Sequence, residues 1–118
     1  MSILKQYSVI RNYKKFKKDY TKFVLFIKGG DYYYTFDADA KIMMFLYDSR
    51  NPVLEYRIDK NEFTKVLVKL HSVGLNVVLA GWKLSNEFYT DKTNEYDTIK
   101  KKAKEYYKAT DGSVHYPY

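Results

Sequence analysis

The fold is decided by residues 23–40, which read FVLFIKGGDYYYTFDADA. The first five residues are apolar at every position, which is typical of a strand that is buried on both faces. The two glycines at 29–30 offer the positive φ angles of a tight hairpin, so residues 32–36 are predicted to return as the partner strand. Asp37 and Asp39 then favour a helix N-terminus, where carboxylates interact well with the macrodipole. The stretch therefore predicts strand, hairpin, strand and helix in succession.

The segment before this stretch is predicted to be a helix. Ser8 is of a residue type that caps helices, and apolar side chains follow it at helical spacing with lysines between them. These side chains are Val9, Tyr13, Phe16 and Tyr20.

The segments after the stretch continue the alternation of helices and strands. The run KIMMFLY, residues 41–47, is apolar enough for either a helix or a strand, and its periodicity leaves both open. A strand is predicted over 53–58. Asp59 and Glu62 resemble a capping box, so a helix should follow and end at Gly74. A strand over 75–80 and a basic amphipathic helical tail over about 94–110, closed by Gly112, complete an α+β fold with a mixed sheet packed against helices.

Length and composition limit the class of protein. The 118 residues suit one domain spanning 1–118, and the absence of cysteine excludes disulfides and thiolate metal sites. No run reaches the roughly 20 apolar residues that a membrane-spanning helix needs, and the N-terminus lacks the apolar core of a signal peptide. We therefore expect a cytoplasmic protein with no membrane partner and no cofactor.

The net charge of +7 is concentrated at one end of the chain. Residues 1–28 hold eight Lys or Arg side chains and one Asp, so this first quarter carries the whole excess. Such asymmetry is typical of polyanion binding, because each neutralised phosphate releases a counterion. The alternative is a solvated helix face that aids solubility. The candidate phosphate-binding residues are Lys14, Lys15, Lys17, Lys18, Lys22 and Lys28.

Several of these residues form a pattern that resembles the N-terminal mismatch-recognition domain of MutS proteins. The shared positions run from about Tyr13 to Ala80. They comprise Tyr13, Phe16-Lys17, Val24-Leu25-Phe26, Gly30-Asp31, Tyr33, Phe36, Asp39-Ala40, Leu67, Leu70, Gly74 and Val77. The resemblance implies an element order of about α-β-β-α-β-α-β-α, with KIMMFLY as a helix.

The resemblance also implies a function. The family inserts an aromatic ring into the DNA minor groove beside a mispaired base, using a Phe-x-Glu pair. Tyr32 occupies the Phe position and Tyr34 the Glu position, and residues two apart on a strand project from one face. Tyr32 keeps a flat ring that can act as a wedge, whereas Tyr34 has no carboxylate to contact a base. Without the resemblance, the three tyrosines at 32–34 are better explained as cover for a half-buried sheet.

The chain also departs from the family. Residues 56–61 replace the family's A-G-V-P-x-H stretch, and no G-x-x-x-x-G-K-[ST] loop is present, so P-loop ATP hydrolysis by this chain is excluded. Met1 and the distinct basic tail suggest a free-standing relative.

Three functions follow as hypotheses. The first is a non-catalytic DNA-binding module that reads mismatched or distorted duplex, with DNA and other repair or mobile-element proteins as partners. The second is a protein-interaction or regulatory module that has kept the fold and lost base reading. The third, a metal-dependent nuclease using Asp31, Asp37 and Asp39 with Lys41, competes with their simpler interpretation as turn and helix-cap residues. His71 and His115 are interpreted as surface residues.

Overall fold

A computed structural model describes the backbone of residues 3–109 and the side chains of residues 8–109. In this range the elements follow one another in the order helix, two strands, helix, strand, helix, two strands, helix. They are α1 (Ile3–Lys17), β1 (Val24–Gly29), β2 (Tyr32–Phe36), α2 (Asp37–Tyr47), β3 (Glu55–Asp59), a 3-10 turn (Lys60–Glu62), α3 (Phe63–Ser72), β4 (Val77–Ala80), β5 (Ser85–Phe88) and α4 (Tyr96–Ala109).

The strands form one mixed sheet in the order β3-β2-β1-β4-β5. β1 pairs in parallel with β4, and the other neighbouring strands pair antiparallel. Because β1 and β4 are parallel, the β1–β2 turn and the β4–β5 turn lie at the same end of the sheet. That end is called the tip end below.

The alternation of side chains along the strands gives the sheet two buried faces. On one face Leu25, Ile27, Tyr34 and Phe36 pack with α1. The opposite face packs with α2, α3 and α4 through a larger cluster. It includes Val24, Phe26, Ile42, Met43, Ile58, Val66, Leu70, Val77, Leu79, Tyr96 and Ala103. The predicted α+β fold class is thus confirmed.

The helix predictions hold with one correction, and one strand was missed. KIMMFLY is helical and lies within α2, and α3 is followed by Gly74 with φ +85°. Ser8 does not cap α1, because α1 already begins at Ile3; the good helix formers Leu4, Lys5 and Gln6 extend the helix upstream. β5 was missed, since SNEF carries no β-branched residue and lies at the sheet edge. Gly112 and His115 lie outside the described residues.

The β1–β2 hairpin needs its two glycines for different reasons. Gly30 has φ +79°, as a tight hairpin requires, whereas Gly29 is not among the positive-φ residues. At Gly29 a Cβ atom would lie 2.7 Å from Cε2 of Tyr34 and 3.3 Å from Cγ2 of Val9. Gly29 therefore makes room for the Tyr34 ring beneath α1, which corrects the prediction that both glycines serve the turn.

Candidate nucleic-acid interface

Tyr32 lies at the start of β2, directly opposite Gly29 in the register of the hairpin. Its ring is half-buried against the α1 face of the sheet. The guanidinium carbon of Arg57 is 4.4 Å from the centre of this ring, and the Tyr34 ring meets it edge-on at 6.4 Å. One aromatic ring is thus presented near the tip end, held between a cation and a second ring.

Tyr34 lies on the same face as Tyr32, as the spacing predicts, but its ring is buried. It is 3% exposed and stacks on Phe36 with 6.4 Å between ring centres. The α1 helix covers this part of β2, so the Tyr34 ring packs between the sheet and α1. Tyr34 does adjoin the candidate wedge, but its buried ring offers little surface to DNA, and its role in DNA binding stays a prediction.

Arg57 stands directly opposite Tyr34 on β3 and is exposed. The sequence reasoning missed this residue as a candidate contact, because the pairing register of β2 with β3 depends on contacts made across the sheet. The position opposite the family's Glu site therefore carries a fixed positive charge beside the candidate wedge.

The Lys17 side chain makes its polar contacts inside the domain. Its ammonium forms an ion pair with Asp39 at 2.9 Å, donates to the backbone carbonyl of Phe23, and lies 4.8 Å from the centre of the Tyr96 ring. The Asp39 carboxylate has no exposed surface, and the Lys17 side chain is 21% exposed. This corrects the expectation that Lys17 contacts phosphate.

Asp39 accepts hydrogen bonds from four groups in all. Besides Lys17, these are the Tyr13 hydroxyl at 2.7 Å, the Leu25 backbone amide at 3.1 Å and the Tyr96 hydroxyl at 2.6 Å. We call Tyr13, Lys17, Asp39 and Tyr96 the Asp39 cluster. A buried carboxylate is costly unless it is paired and hydrogen-bonded, and here the cluster provides both.

The cluster shifts the pKa of its other members. Burial, followed by the nearby Asp39 charge, raises the pKa of both Tyr13 and Tyr96 well above that of free tyrosine. Burial lowers the pKa of Lys17, and the attraction of Asp39 opposes this shift. Both tyrosines therefore remain hydrogen-bond donors to Asp39 at neutral pH.

The remaining candidate lysines are exposed but do not form a single patch. Lys14, Lys15 and Lys18 lie at the C-terminal end of α1, and Lys22 pairs with Asp97 at 2.6 Å. Lys28 lies at the tip end. An α-helix rises 1.5 Å per residue, so the nine steps from Ser8 at the tip end to Lys17 span about 14 Å. The lysines at the C-terminal end of α1 are therefore separated from Lys28 by about this length.

A groove with a volume of about 630 Å³ opens at the tip end. It lies between α1 and the turns of the two hairpins, and its lining is mostly apolar. Trp82, on the β4–β5 turn, is 73% exposed and lines this groove. The sequence reasoning missed Trp82, although a single tryptophan in a turn was a visible signal.

The three aspartates considered for a nuclease site do not come together. Asp31 lies at the hairpin turn, where it pairs with Lys60 at 3.4 Å, while Asp39 is buried in the core. Within residues 3–109 no group of three His, Cys, Asp or Glu side chains is arranged to hold a metal ion. In the same range no helix has the length and apolar character to cross a bilayer.

The fold and the hairpin define the class of protein: a small α+β domain whose central hairpin presents an aromatic ring beside a basic helix. Residues 7–74 match the family model of MutS domain I. The match covers more than half of the chain, and the chain belongs to this family. β4, β5 and α4 lie beyond the matched residues.

Individual relatives support the family assignment. The chain is 35% identical over 60 residues to the DNA mismatch repair protein MutS from each of two strains of Chloroflexus aurantiacus. The aligned stretch is 51% of this chain and 6% of each relative. The chain thus spans only a small part of these relatives' length.

We expect the stability of the domain to depend on the charge of Asp39. Asp39→Asn removes the charge that pairs with Lys17 and leaves a partly buried ammonium, so we expect the free energy of unfolding to fall by about 3 kcal/mol or more. Asp97→Asn is the matched control, because it removes the partner of exposed Lys22 and should cost about 1 kcal/mol or less. Urea unfolding of the two variants measures the difference. Equal losses of stability would show that the Asp39 cluster does not hold the fold together.

Proposed function

We propose that this chain is a non-catalytic DNA-binding module that recognises mismatched or distorted duplex, with Tyr32 as the ring that enters the minor groove. The observation that carries this proposal is the placement of Tyr32 within a MutS domain I fold, half-buried at the hairpin with Arg57 4.4 Å from the centre of its ring. A ring supported in this way is held in position before it meets DNA.

The energetics of such a wedge favour weakened sites in the duplex. Insertion of a ring costs a few kcal/mol of base unstacking, and less where a base is already mispaired. Stacking of a base on an aromatic side chain returns about 1–3 kcal/mol. These two amounts are similar, so Tyr32 would gain most at mismatched or distorted positions.

Arg57 supplies a different chemistry from the family's Glu. The minor groove presents hydrogen-bond acceptors at the base edges and a negative potential, both of which suit a guanidinium. In this proposal Arg57 moves from the Tyr32 ring to a base edge or a phosphate when the ring inserts. The module would then detect deformability of the duplex more than the identity of one mispaired base.

The basic end of α1 supports a phosphate contact on the same side of the sheet. Among the described residues Lys14, Lys18 and Lys28 form no ion pair, so their charges are free to neutralise phosphates. Lys14 lies in the last turn of α1, and Lys18 directly follows the end of that helix. Lys15 lies beside them, 5.8 Å from the centre of the Phe16 ring.

A protein-interaction module is the second candidate. It is favoured by the residue at the family's Glu position, because Tyr34 has no carboxylate for a base contact and its ring is buried. A module of this kind would keep the hairpin for its fold and would not discriminate between mismatched and matched DNA.

Binding to phosphate predicts a defined dependence on salt. If Lys14, Lys15, Lys18 and Lys28 each neutralise one phosphate, the logarithm of the affinity should fall against the logarithm of the salt concentration with a slope of about −4. The double variant Lys14→Gln with Lys18→Gln should reduce that slope by about two. Lys101→Gln with Lys102→Gln on α4 removes the same charge elsewhere and should leave the slope unchanged. A larger effect from the α4 pair would move the phosphate surface to α4.

The wedge predicts a dependence on base pairing. We expect Tyr32→Ala to reduce the preference for a duplex with one mismatch over its matched parent by about tenfold, because it removes the stacking surface. The slope against salt should stay the same, since no charge changes. Tyr47→Ala is the control, because Tyr47 is a partly exposed ring at the end of α2. Fluorescence anisotropy with both duplexes gives the ratio. If wild type shows no preference, the protein-interaction module becomes the better account.

A further inference from the structure

The groove at the tip end is lined by an exposed aromatic ring, Trp82, which has no role in the proposed insertion of Tyr32. Its volume of about 630 Å³ lies within the roughly 300–1,000 Å³ that is usual for ligand sites. Val9 and Asn12 line it from α1, and Gly29 and Gly30 line it from the β1–β2 turn. Tyr32 is the direct partner of Gly29 in the hairpin, so the groove begins one strand pair away from the candidate wedge.

The far side of the groove is formed by the β4–β5 turn. Trp82 and Leu84 are 73% and 80% exposed there, an unusual exposure for such large apolar side chains. The backbone amide of Gly81 donates to the carbonyl of Leu84 at 2.9 Å, which closes the turn. Trp82 therefore projects from an ordered hairpin end.

The charges around the groove favour a ligand that carries negative charge. Among the described side chains of residues 8–109, Lys28 and Lys83 line it, no Asp or Glu does, and neither lysine forms an ion pair. An apolar protein segment would cover Trp82 and Leu84 but would leave both ammonium groups uncompensated. A nucleotide satisfies both features, because its base has a flat π-face and its phosphate is an anion.

We propose that this groove binds a single nucleotide of DNA that has left the base stack, with its base on Trp82 and its phosphate near Lys28 and Lys83. This proposal rests on the proposed function, because Tyr32 would displace the base that the groove then receives. The groove extends to Gly29, whose direct partner is Tyr32, and paired Cα atoms of antiparallel strands are about 5 Å apart, so the groove begins beside the wedge, with Trp82 lining it from the β4–β5 turn. Trp82 and Lys83 lie outside the residues that match MutS domain I, so this site would be a feature of this chain.

The experiment uses Trp82 as its own reporter, because it is the one tryptophan in the sequence. Its fluorescence is recorded while the full chain is titrated with a duplex that contains one unpaired thymine, and separately with the fully paired parent duplex. Binding of both duplexes is measured in parallel by the anisotropy of a labelled strand. This readout needs no variant and so does not depend on the folding of one.

Three variants define the contribution of the ring. Trp82→Ala should weaken binding to the bulged duplex by about tenfold and change binding to the paired duplex by less than about twofold. Trp82→Phe should restore most of the loss, because a phenyl ring still stacks. Tyr89→Ala is the matched control, since it removes a ring that is 62% exposed beyond the opposite end of β5.

The outcomes separate the two proposals. Quenching of Trp82 by the bulged duplex together with the Trp82→Ala loss supports the nucleotide site. If the bulged duplex binds more tightly than the paired one while Trp82 fluorescence and the affinity of Trp82→Ala stay unchanged, the nucleotide site is overturned, the proposed function stands, and a protein segment becomes the better occupant. If neither duplex binds, both proposals are overturned.

Discussion

One buried carboxylate connects the parts of this domain that lie far apart in the sequence. Asp39 has no exposed surface and accepts hydrogen bonds from α1, from the backbone of β1 and from α4. Hydrogen bonds to a charged group contribute about 1.5–3 kcal/mol each, and several are needed to offset the cost of burying the charge. The arrangement is satisfied only when α1 lies across the sheet in one register, with Tyr13 and Lys17 both directed at Asp39.

This constraint determines which surfaces remain available for a partner. The sheet-facing side of α1 is occupied by the Asp39 cluster and by the ring of Tyr34, so the free lysines lie on its outer side. On its own face of the sheet, the same docking of α1 covers Tyr34 and Phe36 and leaves Tyr32, the first residue of β2, half-buried near the surface. The hairpin thus reaches its tip end with the Tyr32 ring, with Arg57 beside that ring and the Trp82 groove next to Gly29. Tyr34, at the family's Glu position, serves the packing of the hairpin.

Most helices and strands could be predicted from the sequence, whereas the contacts of individual side chains could not. Apolar runs, the hairpin glycine Gly30 and helical spacing locate most helices and strands, because these signals act over a few residues. Lys17 looks like its neighbours in composition, although it follows Tyr13 by four residues and so falls within the apolar stripe of α1, which was a visible signal. Its partner Asp39 is 22 residues away and could not be paired with it from spacing. Arg57 and Trp82 depend on sheet pairings that form between distant segments.

The docking of α1 places the hairpin, the tip-end groove and the outer lysines of α1 on one side of the sheet, and we propose that DNA binds along this side. Amide chemical-shift mapping during titration with a duplex that contains one mismatch examines this proposal. We expect the largest shifts at Gly30, Tyr32 and Trp82, with smaller shifts along the C-terminal end of α1 and none centred on α3 or α4. Shifts centred on α4, with the tip end unaffected, would contradict it.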